Sequence, residues 1–122
     1  MTNPVSTHNN VKISAQVLGL GPKFMLKIIL QNTGLQPILG TVLSFSYNPD
    51  MYVMGYSRTS RQCIPVSILL PGPRHVVETE VRNTDAQGRA STILIVLSSP
   101  SQSVASPVVC ATVRMPNSEL SL

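Results

Sequence analysis

Apolar side chains recur at every second position, in runs of seven to nine residues separated by glycine, proline and asparagine. In residues 11–17, Val11, Ile13, Ala15 and Val17 alternate with Lys12, Ser14 and Gln16. An extended chain sends successive side chains to opposite sides, so this spacing makes one dry face and one wet face; a helix would scatter the same residues around its barrel. Residues 23–31 repeat the pattern with Phe24, Leu26, Ile28 and Leu30, and residues 39–47 place Leu39, Leu43 and Phe45 on one side. Residues 74–82 turn Val77, Thr79 and Val81 inward and Glu78, Glu80 and Arg82 outward.

Residues 91–98 are apolar on both faces, since Leu94 and Val96 interleave with Ile93, Ile95 and Leu97; this is the mark of a central or doubly covered strand. Residues 63–70 contain Pro65, which lacks a ladder donor and suits an edge strand or a strand start. With a last strand over residues 107–115, and residues 51–62 less regular, the count is seven or eight strands. Short strands at such spacing, broken by Gly19-Leu20-Gly21-Pro22, Asn32-Thr33-Gly34, Asn48-Pro49-Asp50 and Pro71-Gly72-Pro73, predict an all-β sandwich, mostly antiparallel. Residues 11–117 read as one domain, residues 1–10 as a flexible lead-in and residues 118–122 as a short tail.

Composition agrees. Val, Ile and Thr number 31 together, while Ala, Glu and Lys number 11, a ratio that disfavours a helical bundle. No apolar run approaches the ~20 residues of a membrane-spanning helix, and residues 1–10 lack the apolar stretch of a secretory leader. Cys63 and Cys110 lack the buried Trp that accompanies the disulfide of secreted immunoglobulin domains, and they read as reduced, partly buried thiols in a cytosolic protein.

Chemistry-bearing residues are sparse: five acids, and two histidines 67 positions apart. No spacing of His, Cys and acids suits a metal site, and no Gly-x-Ser-x-Gly elbow is present. Gly19-Leu20-Gly21 resembles part of a phosphate loop, but Pro22 and a following strand make it a turn. Glu78 and Glu80 lie on one outward face beside Arg82 and read as solvated charges. Neither catalysis nor a cofactor is expected. The net charge of +4 is spread along the chain without aromatic platforms, which speaks against nucleic acid and leaves acidic peptides or anionic lipid headgroups as suitable partners. Met51, Tyr52, Met54, Tyr56, Arg58 and Arg61 form a segment rich in interface residue types; its other reading is a strand connection whose apolar side chains finish the core. Arg58, Arg61 and Arg74 together would make a basic groove.

Four stretches carry a resemblance. Residues 11–22 read VKISAQVLGLGP, residues 30–33 read LQNT, Ile64-Pro65-Val66 leads to Leu70-Pro71-Gly72, and residues 113–119 read VRMPNSE. Their order resembles the C-terminal γ-adaptin-ear-like (GAE) domains of the Bardet–Biedl syndrome 1 family of BBSome subunits. The resemblance implies an immunoglobulin-like β-sandwich of the γ-adaptin ear type, cut from a larger subunit that also carries a β-propeller and helical segments. It implies a cytoplasmic and ciliary setting in a coat-like complex that moves membrane proteins. Two roles follow: a non-catalytic assembly module packing on other BBSome subunits, or an ear that uses a basic groove to take short acidic-aromatic peptides or membrane-protein cargo.

Overall fold

The computed structural model describes residues 5–8, 10–55, 61–101 and 104–119. Strands β1 (Val5–His8), β2 (Val11–Leu18), β3 (Lys23–Asn32), β9 (Arg74–Asn83) and β6 (Tyr52–Met54) form a five-stranded sheet in that order. A second sheet has the order β11 (Val104–Arg114), β10 (Thr92–Ser101), β5 (Val42–Ser46) and β7 (Arg61–Pro65). A short ribbon pairs β4 (Ile38–Leu39) with β8 (Ile68–Leu69). Every strand pairing is antiparallel.

The all-β sandwich is the fold that the alternation predicts. Its core is built from the alternating apolar positions: Ile13, Leu26, Ile28 and Leu30 from the five-stranded sheet, and Leu43, Phe45, Ile93, Ile95 and Leu97 from the four-stranded one, all fully buried. Burying each such side chain contributes roughly 1.5–3 kcal/mol, which drives the two inner faces together. Pro65 ends β7 at the edge of the four-stranded sheet, where a missing N–H leaves no ladder bond unmade.

Among the described residues, eleven strand segments stand where seven or eight were expected. Val5–His8 pair with β2, so the sheet begins inside the stretch expected to be a lead-in. The expected strand over residues 39–47 is cut by Gly40, whose φ of +67° turns the chain and shifts the alternation by one. Leu39 is therefore 66% exposed rather than inward-facing, and Thr41 takes the buried place, its hydroxyl donating to the Val66 carbonyl. Residues 63–70 likewise divide into β7 and β8. The expected tail is docked at its start: the Ser118 N–H donates to Gly88 O at 2.8 Å and the Glu119 N–H to Leu20 O at 2.8 Å. Gly21 permits this approach, because its φ is +86° and a Cβ there would collide with Phe24 and Ser118. Gly19-Leu20-Gly21-Pro22 is thus a β2–β3 turn that seats the chain's other end.

Both cysteines are exposed thiols, not partly buried ones. Cys63 pairs across the sheet with Ser44, Ser44 with Val96, and Val96 with Cys110. They occupy one row, three strand spacings or roughly 14 Å apart, twice the Cα separation a disulfide tolerates.

Candidate interaction surface

The structure divides the residues nominated above. Tyr52 is 1% exposed and Met54 is 0% exposed, because β6 pairs with β9 and turns both side chains into the sandwich. The Tyr52 hydroxyl accepts a hydrogen bond from the Ser91 N–H at 2.9 Å. Burial pushes its pKa above the ordinary phenol value, against the opposing pull of that bond. Met51 is partly buried and packs on the same core. Tyr52 and Met54 are therefore corrected from surface candidates to core residues, as the alternative reading of this segment had it. Tyr56 and Arg58 lie outside the described residues.

Arg61 and Arg74 do not meet. Arg61 pairs with Ser46, beside the Asn48 turn, whereas Arg74 pairs with Gln31 at the other end of the sandwich. Most of the length of β9 separates the two levels, on the order of 25 Å at about 3.3 Å per residue. The expected basic groove is not assembled around this pair. Arg74 is exposed and belongs to the outer face of the five-stranded sheet.

That outer face is built of rows read directly from the strand register. Lys12, Gln31 and Arg74 make one row, and Ser14, Ile29 and Val76 the next. Gln16, Lys27 and Glu78 follow, then Leu18, Met25 and Glu80. A shallow depression of about 210 Å³ is lined by Lys12, Ser14, Ile29, Gln31 and Arg74. The face is mixed, with charge of both signs around an apolar centre.

The outer face of the four-stranded sheet is different in kind. Its rows are Thr112, Leu94, Ser46; then Cys110, Val96, Ser44, Cys63; then Ser98, Val42, Pro65. Leu94 is 40% exposed and Val96 half-buried. No charged residue stands in these rows until Arg61, at the β7 end of the first, and Arg114 lies one row beyond. Alternation alone could not assign these residues to a binding surface. The signal was present, however, in the apolar second face of residues 92–98. It marks a strand that is central in its sheet yet uncovered by any described residue.

Reactive geometry is sparse. Among the described residues, no three of His, Cys, Asp and Glu come together as metal ligands. His75 is half-buried in β9, and its Nε2 has no hydrogen-bond partner, so no nucleophile is paired with it. The one ion pair among the described residues joins Arg89 to Asp85 at 2.9 Å.

Comparison with known proteins agrees with the all-β frame. Residues 11–121 match the family described as Bardet-Biedl syndrome 1 protein, GAE domain. The chain belongs to that family. It is 35% identical over 120 residues to the human BBSome complex member BBS1, covering 96% of this chain and 19% of the relative. The mouse BBSome complex member BBS1 is 33% identical over the same span and shares. This GAE domain thus spans about a fifth of the length of the curated relatives it matches.

Proposed function

We propose that this GAE domain is a non-catalytic assembly module that packs against other subunits of a BBSome-type complex. The observation that carries the reading is the outer face of β11, β10, β5 and β7, whose centre around Leu94 and Val96 holds no charged residue, Arg61 and Arg114 standing only at its margin. Solvent-facing sheet positions ordinarily carry polar or charged side chains. Centres of protein–protein interfaces, in contrast, are depleted of charge and tolerate apolar residues such as Leu94 and Val96. Apart from Leu94, the rows carry the small side chains of Ser, Thr, Val, Cys and Pro, suited to close approach by a partner. Relatives five times longer, named as BBSome complex members, supply the context in which such a face has something to pack on. The setting is the cytoplasmic side of ciliary membrane traffic. Peptide capture by a basic groove loses its main support, since Arg61 and Arg74 are held apart.

The test is co-purification of sibling subunits by the complete subunit carrying Leu94→Glu and Val96→Glu. Capture should fall by about tenfold or more, with the melting temperature of the domain nearly unchanged. Undiminished capture, together with micromolar binding of an acidic-aromatic peptide, would sink the assembly reading in favour of the receptor one.

A further inference from the structure

We propose that the end of the sandwich formed by the β3–β4 loop, the β4–β8 ribbon and the β8–β9 loop docks on an anionic membrane surface. Leu35, Leu39, Ile68 and Leu70 would enter the headgroup region, and Lys12 and Arg74 would face lipid anions.

Four aliphatic side chains cluster at this end. Leu35 is 92% exposed, Leu39 66%, Leu70 46% and Ile68 38%. They are not scattered surface residues. Leu39 and Ile68 are direct cross-strand partners. One buried side chain pins the segments that carry the others. Asn32 donates its amide to Gln36 O at 2.8 Å and to Leu69 O at 3.1 Å, and accepts from the Gly34 N–H at 2.9 Å. Its backbone carbonyl accepts from the Gly72 N–H at 3.0 Å. The leucines are therefore presented on loops already held in place, so insertion has little ordering entropy to overcome.

The acids are segregated along the same axis, while cations stand at both ends: Lys23, Arg61, Arg82, Arg89 and Arg114 share the far end with three of the acids. The chain has five acids, and all lie among the described residues. Asp50, Asp85 and Glu119 sit at the opposite end: Thr84 Oγ1 donates to Asp50 O, Asp85 follows the end of β9, and Glu119 bonds to Leu20 in the β2–β3 turn. Glu78 and Glu80 are four and six residues down β9 from Arg74, roughly 13 and 20 Å away. The leucine end thus holds Lys12 and Arg74, linked through Gln31, with no acid beside them.

Exposed aliphatic tips flanked by unopposed cations suit an anionic interface, where apolar insertion and electrostatic attraction add. A protein partner would need a cavity complementary to a convex tip such as Leu35, whereas fluid lipid deforms around it. The ribbon continues from the Val42 end of β5, whereas Leu94 pairs with Ser46 at the other end of that strand, so a membrane contact and an assembly contact centred on Leu94 need not compete.

The experiment is co-sedimentation of the chain with vesicles of equimolar phosphatidylserine and phosphatidylcholine. Binding is expected and should weaken by about tenfold in Leu35→Ser/Leu39→Ser, and comparably in Lys12→Glu/Arg74→Glu. Leu35 and Leu39 are largely solvated, so the melting temperature of the first variant should match that of the parent. Leu94→Glu should leave vesicle binding intact, which separates this proposal from the assembly reading. Absence of vesicle binding would overturn it, as would binding indifferent to the leucines. An equal loss from Lys23→Glu/Arg82→Glu at the other end would reduce the effect to net charge and overturn it too. So would leucine-dependent capture of a polyglutamate peptide by a chain that ignores vesicles.

Discussion

Along β9 the outward positions are Arg74, Val76, Glu78, Glu80 and Arg82; along β10 they are Thr92, Leu94, Val96 and Ser98. β10 lies inside its sheet and buries Ile93, Ile95 and Leu97 completely, whereas β9 is covered by β6 only at Val81–Asn83 and half-buries Val77 and Thr79 before burying Val81. Burial of the inner face is what folding selects, and it is equally served by charged or uncharged outer residues. The difference between the two outer faces is therefore free of the fold and available to report on use. A charged outer face stays soluble and blunts unwanted sheet contact. An uncharged one is left open only where something else covers it or where contact is wanted.

If the two inner faces are equivalent, truncating either should cost the same kind of amount. Phe45→Ala in the four-stranded sheet should destabilise by about 3–5 kcal/mol, and Ile28→Ala in the five-stranded sheet by about 2–5 kcal/mol. Both residues are fully buried. Urea unfolding of the isolated chain measures this. A cost below about 1 kcal/mol at one site only would mean that one sheet relies on a partner for its core.

A smaller effect sharpens where the core stops. Tyr52→Phe keeps the ring and removes the acceptor of the Ser91 N–H. It should cost about 1–2 kcal/mol, because a part-buried donor is left unmet. An unchanged stability with loss of sibling capture would return Tyr52 to the interaction surface.

The outer faces themselves give the next smaller change in stability. Leu94→Lys and Val76→Lys each alter an exposed apolar residue of an outer sheet face, Leu94 within its sheet at 40% exposure and Val76 at the end of its row at 51%. Both should stay within about 0.5 kcal/mol of the parent. Only Leu94→Lys should depress capture of sibling subunits in pull-downs by the complete subunit. Equal loss from Val76→Lys would erase the distinction between the faces.

How much of this was legible before folding follows from what each feature depends on. The core was written in the sequence, because alternation is a local property and burial follows it residue by residue: Val11 to Val17, Phe24 to Leu30, and Ile93 to Leu97 all land inside. Leu39 was misplaced because one residue in the left-handed region, Gly40, shifts the register of everything before it relative to β5. Tyr52 and Met54 were ambiguous because three residues of strand are too few to show a period. The candidate surface was the least legible part. Cys63, Ser44, Val96 and Cys110 become one row only through three separate strand pairings, and no local pattern specifies which strands are neighbours. The same limit applies to Arg61 and Arg74, close in sequence and far apart in space.

The smallest expected effect concerns the two ends rather than the two faces. Asp85 closes the β9–β10 loop by accepting from the Arg89 guanidinium at 2.9 and 3.1 Å and from the Gln87 and Arg89 N–H groups. The Arg89 side chain is the main reason its pKa lies at about 2. A carboxyl whose folded pKa is depressed binds protons less readily when folded than when unfolded, so its contribution is present above the unfolded value near pH 4. It is then lost as pH falls toward about 2. Asp85→Asn should thus melt below the parent at neutral pH, with the gap narrowing between about pH 4 and pH 2. Thermal melts across that window would show it. A gap that persists unchanged at the acid limit would mean that the loop is held by hydrogen-bond geometry alone. The end that holds Asp85 would then owe nothing of its stability to this ion pair, and the contrast with the acid-free leucine end would be one of surface chemistry only.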